Sequence, residues 1–147
     1  MLKDEGDFHA SAFILGPDDT TVLIREKRKP ISLWKFAGGK QKLTKPFGKR
    51  RRGETPLECL IRETHEETGL WLRKRDTELV TKVDMGHYKK YYFFSRLPSF
   101  RTLVTPSDEY EEAKVFKLED LEWLPNFDPT YSEIFLHYMQ PRLAGLT

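Results

Sequence analysis

Gly48–Leu70 reads GKRRRGETPLECLIRETHEETGL, and the rest of the chain is arranged around the helix it encodes. Both ends of that helix are legible. Thr55 is a good N-cap, Pro56 suits the first helical position, and Glu58 stands three residues after Thr55, as a capping box requires. Gly69 follows the last helical residue, where a left-handed conformation ends a helix cheaply. These signals predict a helix over 55–68. At 100° per residue, Leu57, Leu60, Ile61, Thr64 and Thr68 form one stripe. Glu63, Glu66 and Glu67 gather on another face, at i, i+3 and i+4. Like charges at that spacing cost an isolated helix roughly 0.2–0.5 kcal/mol per pair. A cation would remove the penalty, and all-oxygen ligation suits Mg²⁺ or Mn²⁺ and not Zn²⁺.

Gly48, five residues, Glu54, seven residues, then Arg62-Glu63-Thr64-His65-Glu66-Glu67-Thr68-Gly69-Leu70 resembles the Nudix box, Gly-x5-Glu-x7-Arg-Glu-U-x-Glu-Glu-x-Gly-U, with U aliphatic. Eight of nine specified positions match; Thr64 stands at the first U and, being β-branched, can pack like Val. Upstream, Trp34-Lys35-Phe36-Ala37-Gly38-Gly39 resembles the family's W-x-F-P-G-G strand end, with Ala37 in place of the proline. Family spacing from Gly39 would put the box Glu at position 45; the chain puts it at Glu54, nine residues later, which marks 40–48 as an insertion and Gly48 as a chance match in register.

A chain of 147 residues suits one domain, expected over 1–147 with a loose segment at 1–7. The net charge is +2, unevenly spread: seven cations and no acid fall between 40 and 52, leaving −5 elsewhere. That run reads as a solvated loop, an RNA patch or a polyphosphate clamp. Cys59 is the only cysteine, so no intrachain disulfide can form; it reads as a small, half-buried apolar residue on the acidic side of the helix. No apolar run approaches ~18 residues, and the cytoplasm is the expected compartment, with no membrane partner.

In chain order, Phe8–Leu15 and Thr21–Ile24 read as a hairpin across the Gly16–Asp19 turn cluster. Leu33–Ala37 is a short strand leading into Gly38-Gly39. Beyond the helix, strands are expected at Leu79–Val83, His87–Leu97 and Glu112–Leu118, then a helical turn at Leu118–Leu124. Asp128-Pro129-Thr130 opens a last helix whose buried stripe is Tyr131, Ile134, Phe135 and Tyr138. Strands with a central and a terminal helix imply a mixed sheet between helices. The Nudix resemblance implies the same α/β class, an α/β/α sandwich, over about 8–139.

The resemblance further implies metal-assisted water attack on a phosphorus atom of a nucleoside diphosphate linked to another moiety, such as (d)NTPs or dinucleoside polyphosphates. Glu63, Glu66 and Glu67 match the metal positions, Glu63 also being a catalytic candidate. Arg62 is placed among the catalytic residues as a brace for the carboxylates, with Glu54 structural. A late Glu often serves as base: Glu109 aligns best and Glu112 second, an acidic surface loop being the plain alternative. Gly38, Gly39, Lys40, Arg25 and Tyr91 are the candidate substrate contacts. His65-Glu66 lacks the second His of a zinc protease motif, because position 69 is Gly69, and His9, His87 and His137 have no ligand spacing. Competing readings are an ADP-ribose or nucleotide-sugar pyrophosphatase, a non-catalytic Nudix-fold nucleotide- or RNA-binding module, and an isoprenoid diphosphate isomerase, whose usual extra Cys Cys59 does not match. The partner is a nucleotide-type small molecule; RNA rests on the basic run alone, and a homodimer is compatible with the sequence.

Overall fold

The computed structural model describes residues 6–27, 30–41, 53–104 and 111–145, leaving out the side chain of Glu111. Most of the basic run, from position 42 to 52, and Glu109 therefore lie outside the described residues.

Six strands form one mixed sheet: β1 (Phe8–Gly16), β2 (Thr20–Glu26), β3 (Lys35–Gln41), β4 (Thr77–Asp84), β5 (Lys89–Arg96) and β6 (Glu111–Lys117). Their order is β4-β5-β1-β3-β2-β6, and only β1 with β5 is parallel. β1 reads as a near-continuous apolar run because both its faces are covered. Ala10, Ala12 and Ile14 face the helix α1 (Pro56–Thr68), while Phe13 faces the C-terminal helix α2 (Pro129–Ile134). The expected α/β sandwich is thus the observed one. The β1–β2 turn places Asp18 and Asp19 at φ 55° and 53°, the left-handed pair a tight hairpin needs. The two strands then diverge, pairing only at Leu15–Thr21 and Gly16–Thr20, and β3 enters between them.

The caps of α1 form as expected. Thr55 Oγ1 accepts from the Glu58 N–H at 3.1 Å, and the Thr55 N–H donates back to Glu58 Oε1 at 2.9 Å. Gly69 closes the helix at φ 77°, where an added Cβ would also strike the Thr102 carbonyl. Thr64 is fully buried, and its hydroxyl has no hydrogen-bond partner among the described residues, so it does pack as a valine would.

Three local expectations need correction. β3 does not end at the glycines but runs on to Gln41, because Gly38 and Gly39 pair with Ser11 and Ala10 of β1. Cys59 is fully buried rather than half-buried, because with Leu60 it joins the core cluster between α1 and the sheet. Tyr138 is exposed and Met139 takes its place in the core. The cause is a wider, π-type stretch at Phe135–Met139, which rotates the following residues off the 3.6-residue stripe. Among the described residues no helix is long and apolar enough to cross a membrane.

Candidate active site

The acidic face of α1 is held by one arginine. Arg62 forks onto Glu54, with Nε to Oε2 at 2.9 Å and Nη2 to Oε1 at 2.8 Å. Its Nη1 reaches Glu63 at 2.8 Å and both oxygens of Glu66 at 3.3 Å. Donation to Glu54, with donation to Glu63 and the charges of both carboxylates, holds the guanidinium proton above its already high range, against the desolvation that burial brings. Arg62 is therefore a permanent cation that gathers three carboxylates.

Glu67 turns toward the sheet and accepts from the Gly38 N–H at 2.9 Å. Glu63 lies against Gly39, where an added Cβ would come within 2.2 Å of Glu63 Cγ. The bare strand is thus what lets both carboxylates approach the backbone. As these side chains stand, no three acidic, His or Cys groups among the described residues are close enough to enclose a metal ion. The donor set itself, three carboxylates within one turn and half of Glu66 still exposed, has the hard-oxygen chemistry that Mg²⁺ or Mn²⁺ takes.

A cavity of about 410 Å³ opens beside them, with Glu63 and Glu67 in its wall. Gly38, Gly39 and Lys40 also line it, so the structure brings these expected substrate contacts together with the carboxylates. Asp128 and Tyr131 line it too, although the sequence marks them only as the start and the buried stripe of the last helix. Trp34 positions them: it donates to the Asn126 carbonyl at 2.7 Å and accepts from the Asp128 N–H at 2.9 Å. Asp128 then caps α2 by accepting from the Thr130 N–H at 2.9 Å. Burial raises the Tyr131 phenol far above its usual value, with Tyr92 adding to the shift and a Ser11 hydrogen bond opposing it. Tyr92, below it, is pushed up to about 12, chiefly by burial.

Other candidates fall elsewhere. Arg25 sits directly opposite Glu112 in the β2–β6 register and pairs with it at 2.8 Å, its guanidinium 4.5 Å from the Trp34 ring centre. Both residues line a separate cavity of about 360 Å³. Tyr91 lies on the α1 side of the sheet, edge-on to Phe8, and does not line the active-site cavity. His9, Lys90, Lys35 and Glu26 line that cavity without having been singled out as site residues; only strand register brings them there.

A family model for the NUDIX domain matches residues 7–138. No curated protein matches the chain in sequence. Among solved structures, a NUDIX-family hydrolase from Clostridium perfringens superposes with a TM-score of 0.62 at 18% identity, covering 89% of this chain and 94% of its own. The MutT protein from Bacillus halodurans gives 0.65 at 21%, covering 89% and 80%. The NUDIX domain of Shewanella oneidensis NrtR, solved with ADP ribose, gives 0.66 at 14%, covering 98% and 90%. At these identities the superpositions speak to the fold, whereas the family match spans most of the chain and includes the carboxylate helix, so this protein belongs to the NUDIX domain family.

Proposed function

We propose that the protein hydrolyses a phosphoanhydride bond of a nucleotide-type substrate with Mg²⁺ or Mn²⁺. One observation carries the reading: Glu63 and Glu67 of the acidic helix face share a cavity of about 410 Å³ with the glycine strand. Glu63, Glu66 and Glu67 would hold the metal, which when bound supplies charge neutralisation and a more acidic water. Arg62 restrains Glu63 and Glu66 and fixes Glu54 as its anchor. Glu67, held at the Gly38 N–H, keeps the acidic edge against the strand. Asp128 offers an acceptor to the nucleoside end, and Tyr131, protonated at working pH, offers a donor. Glu109 is our candidate base; Glu112 is the weaker one, since Arg25 already engages it.

The test is a screen of nucleotides, nucleotide sugars and dinucleoside polyphosphates with Mg²⁺, products read by chromatography. Glu66→Gln and Glu67→Gln should each lower kcat by about 10²-fold or more with little change in Tm. Glu109→Gln should lower it about tenfold or more, and Glu112→Gln by less than about twofold. Full activity in EDTA, or wild-type turnover in both box variants, would refute the metal-site reading.

A second reading, ADP-ribose or a nucleotide sugar, has its own support. A small cavity of about 160 Å³ shares Glu26, Lys35 and Asp128 with the active-site cavity, and Ile31 and Ser32 with the one at Arg25. That trough has room for a second moiety, and the NrtR domain was solved with ADP ribose. The single thiol, buried at Cys59, is compatible with the cytoplasm.

A further inference from the structure

The active-site cavity is sorted by charge. Its carboxylates, Glu63 and Glu67, lie on the α1 edge, while Lys40, His9 and Lys90 lie together at another edge. The sheet register fixes that second group. His9 of β1 stands directly opposite Lys40 of β3 and level with Lys90 of β5, so the three occupy one row across three adjacent strands. Residues paired in this way project from the same face, and neighbouring strands lie about 4.8 Å apart, so the two lysine backbones are about 10 Å apart with His9 midway. Lys40 follows Gly39, the residue against Glu63, so the row lies one residue farther along β3 and projects from the other face of the sheet, and the two groups meet because both line the one cavity. Tyr88 packs on the His9 ring at 4.8 Å and limits where it can turn. Glu26 of β2, Lys35 of β3 and Asp128 at the start of α2 line the same cavity.

We propose that Lys40, His9 and Lys90 form an anion-binding rung for the end of a linear oligophosphate that leads away from the carboxylates. This rests on the phosphohydrolase reading and names what that site selects. The box carboxylates repel any further phosphate on the substrate. A row of two ammonium groups and an imidazole lining the same cavity offsets that repulsion, and the long lysine stems let both charges close on one phosphate. A neutral sugar in the same place makes no use of them. The rung therefore favours a nucleoside triphosphate over ADP-ribose, whose phosphates are flanked on both sides.

The experiment measures the affinity of inorganic tripolyphosphate by titration calorimetry, in wild type, Lys90→Met and Lys40→Met, and kcat/KM for a nucleoside triphosphate and ADP-ribose with Mg²⁺. Each variant should weaken tripolyphosphate binding about tenfold. Lys90→Met should lower kcat/KM for the triphosphate about tenfold and for ADP-ribose less than about twofold. Wild-type tripolyphosphate affinity in a folded Lys90→Met protein, or no binding by wild type, overturns the rung. If Lys90→Met does not fold, Lys90→Gln and Lys40→Met decide the matter by the same readings. Tripolyphosphate binding that needs Lys90, in a protein that hydrolyses no nucleotide, refutes the proposed function and leaves the rung standing.

Discussion

At the scale of single residues, Gly39 does more than its conformation requires. An alanine there would put its Cβ 2.2 Å from Glu63 Cγ and 2.7 Å from Glu63 Cβ. The second atom is close to the helix backbone, so the clash cannot be relieved by swinging the end of the side chain. Gly39→Ala should displace Glu63, lowering kcat by about 10²-fold, as misplacement of a catalytic group by ~1 Å does. Circular dichroism should stay close to wild type while Tm falls by a few degrees, as overpacking by about 1–3 kcal/mol implies, and wild-type turnover would show that Glu63 needs no such seat. Gly38 is a different case: its φ of 151° and the nearby Ala10 carbonyl exclude a side chain for backbone reasons.

At the scale of elements, α1 has to carry a row of like charges, and its ends help it do so. The capping box satisfies two backbone N–H groups that would otherwise be orphaned at the start of the helix. Thr55→Ala should cost about 1 kcal/mol, which for a domain of this size lowers Tm by about 2–4 °C. The Arg62 fork lies beyond the cap, so the Km for substrate should hardly move. A loss of activity far exceeding the loss of stability would mean that the cap also positions Glu54. At the other end of the chain, the π-type stretch at Phe135–Met139 shows an element departing from its sequence pattern so that Phe135 and Met139 can both reach the core.

At the scale of the molecule, two buried phenols set the alkaline limit. Tyr92 is held neutral up to about 12 and Tyr131 still higher, against ~10 for an unfolded tyrosine. Above that unfolded value the unfolded chain releases protons that the native one retains, so stability falls as pH rises. The contribution is complete below pH ~10 and is lost as pH climbs through about 12. Denaturation midpoints in urea should thus be insensitive to these groups at neutral pH and should drop above ~10. Tyr92→Phe should flatten part of that drop, and an unchanged slope would remove Tyr92 from it.

The sequence by itself determined what depends on near neighbours along the chain. The helix at Pro56–Thr68, its two caps and the spacing of Arg62, Glu63, Glu66 and Glu67 are all local, because helical hydrogen bonds and faces are set within four residues. That local pattern was enough to identify the family and the acidic centre. The hairpin turn was legible for the same reason. What only the tertiary structure decided depends on which strands become neighbours and in what register. Arg25 went to Glu112 rather than to the active site because β6 pairs with β2. Tyr91 went to the opposite face because strand alternation fixes sides once a strand is placed in the sheet. Cys59 was buried by the packing of α1 on the sheet. His9 and Lys90, 81 positions apart, share a row with Lys40 only because β1 lies between β3 and β5. Pairings between distant segments carry no short-range signature, so a charge row built across three strands appears only when the sheet is assembled.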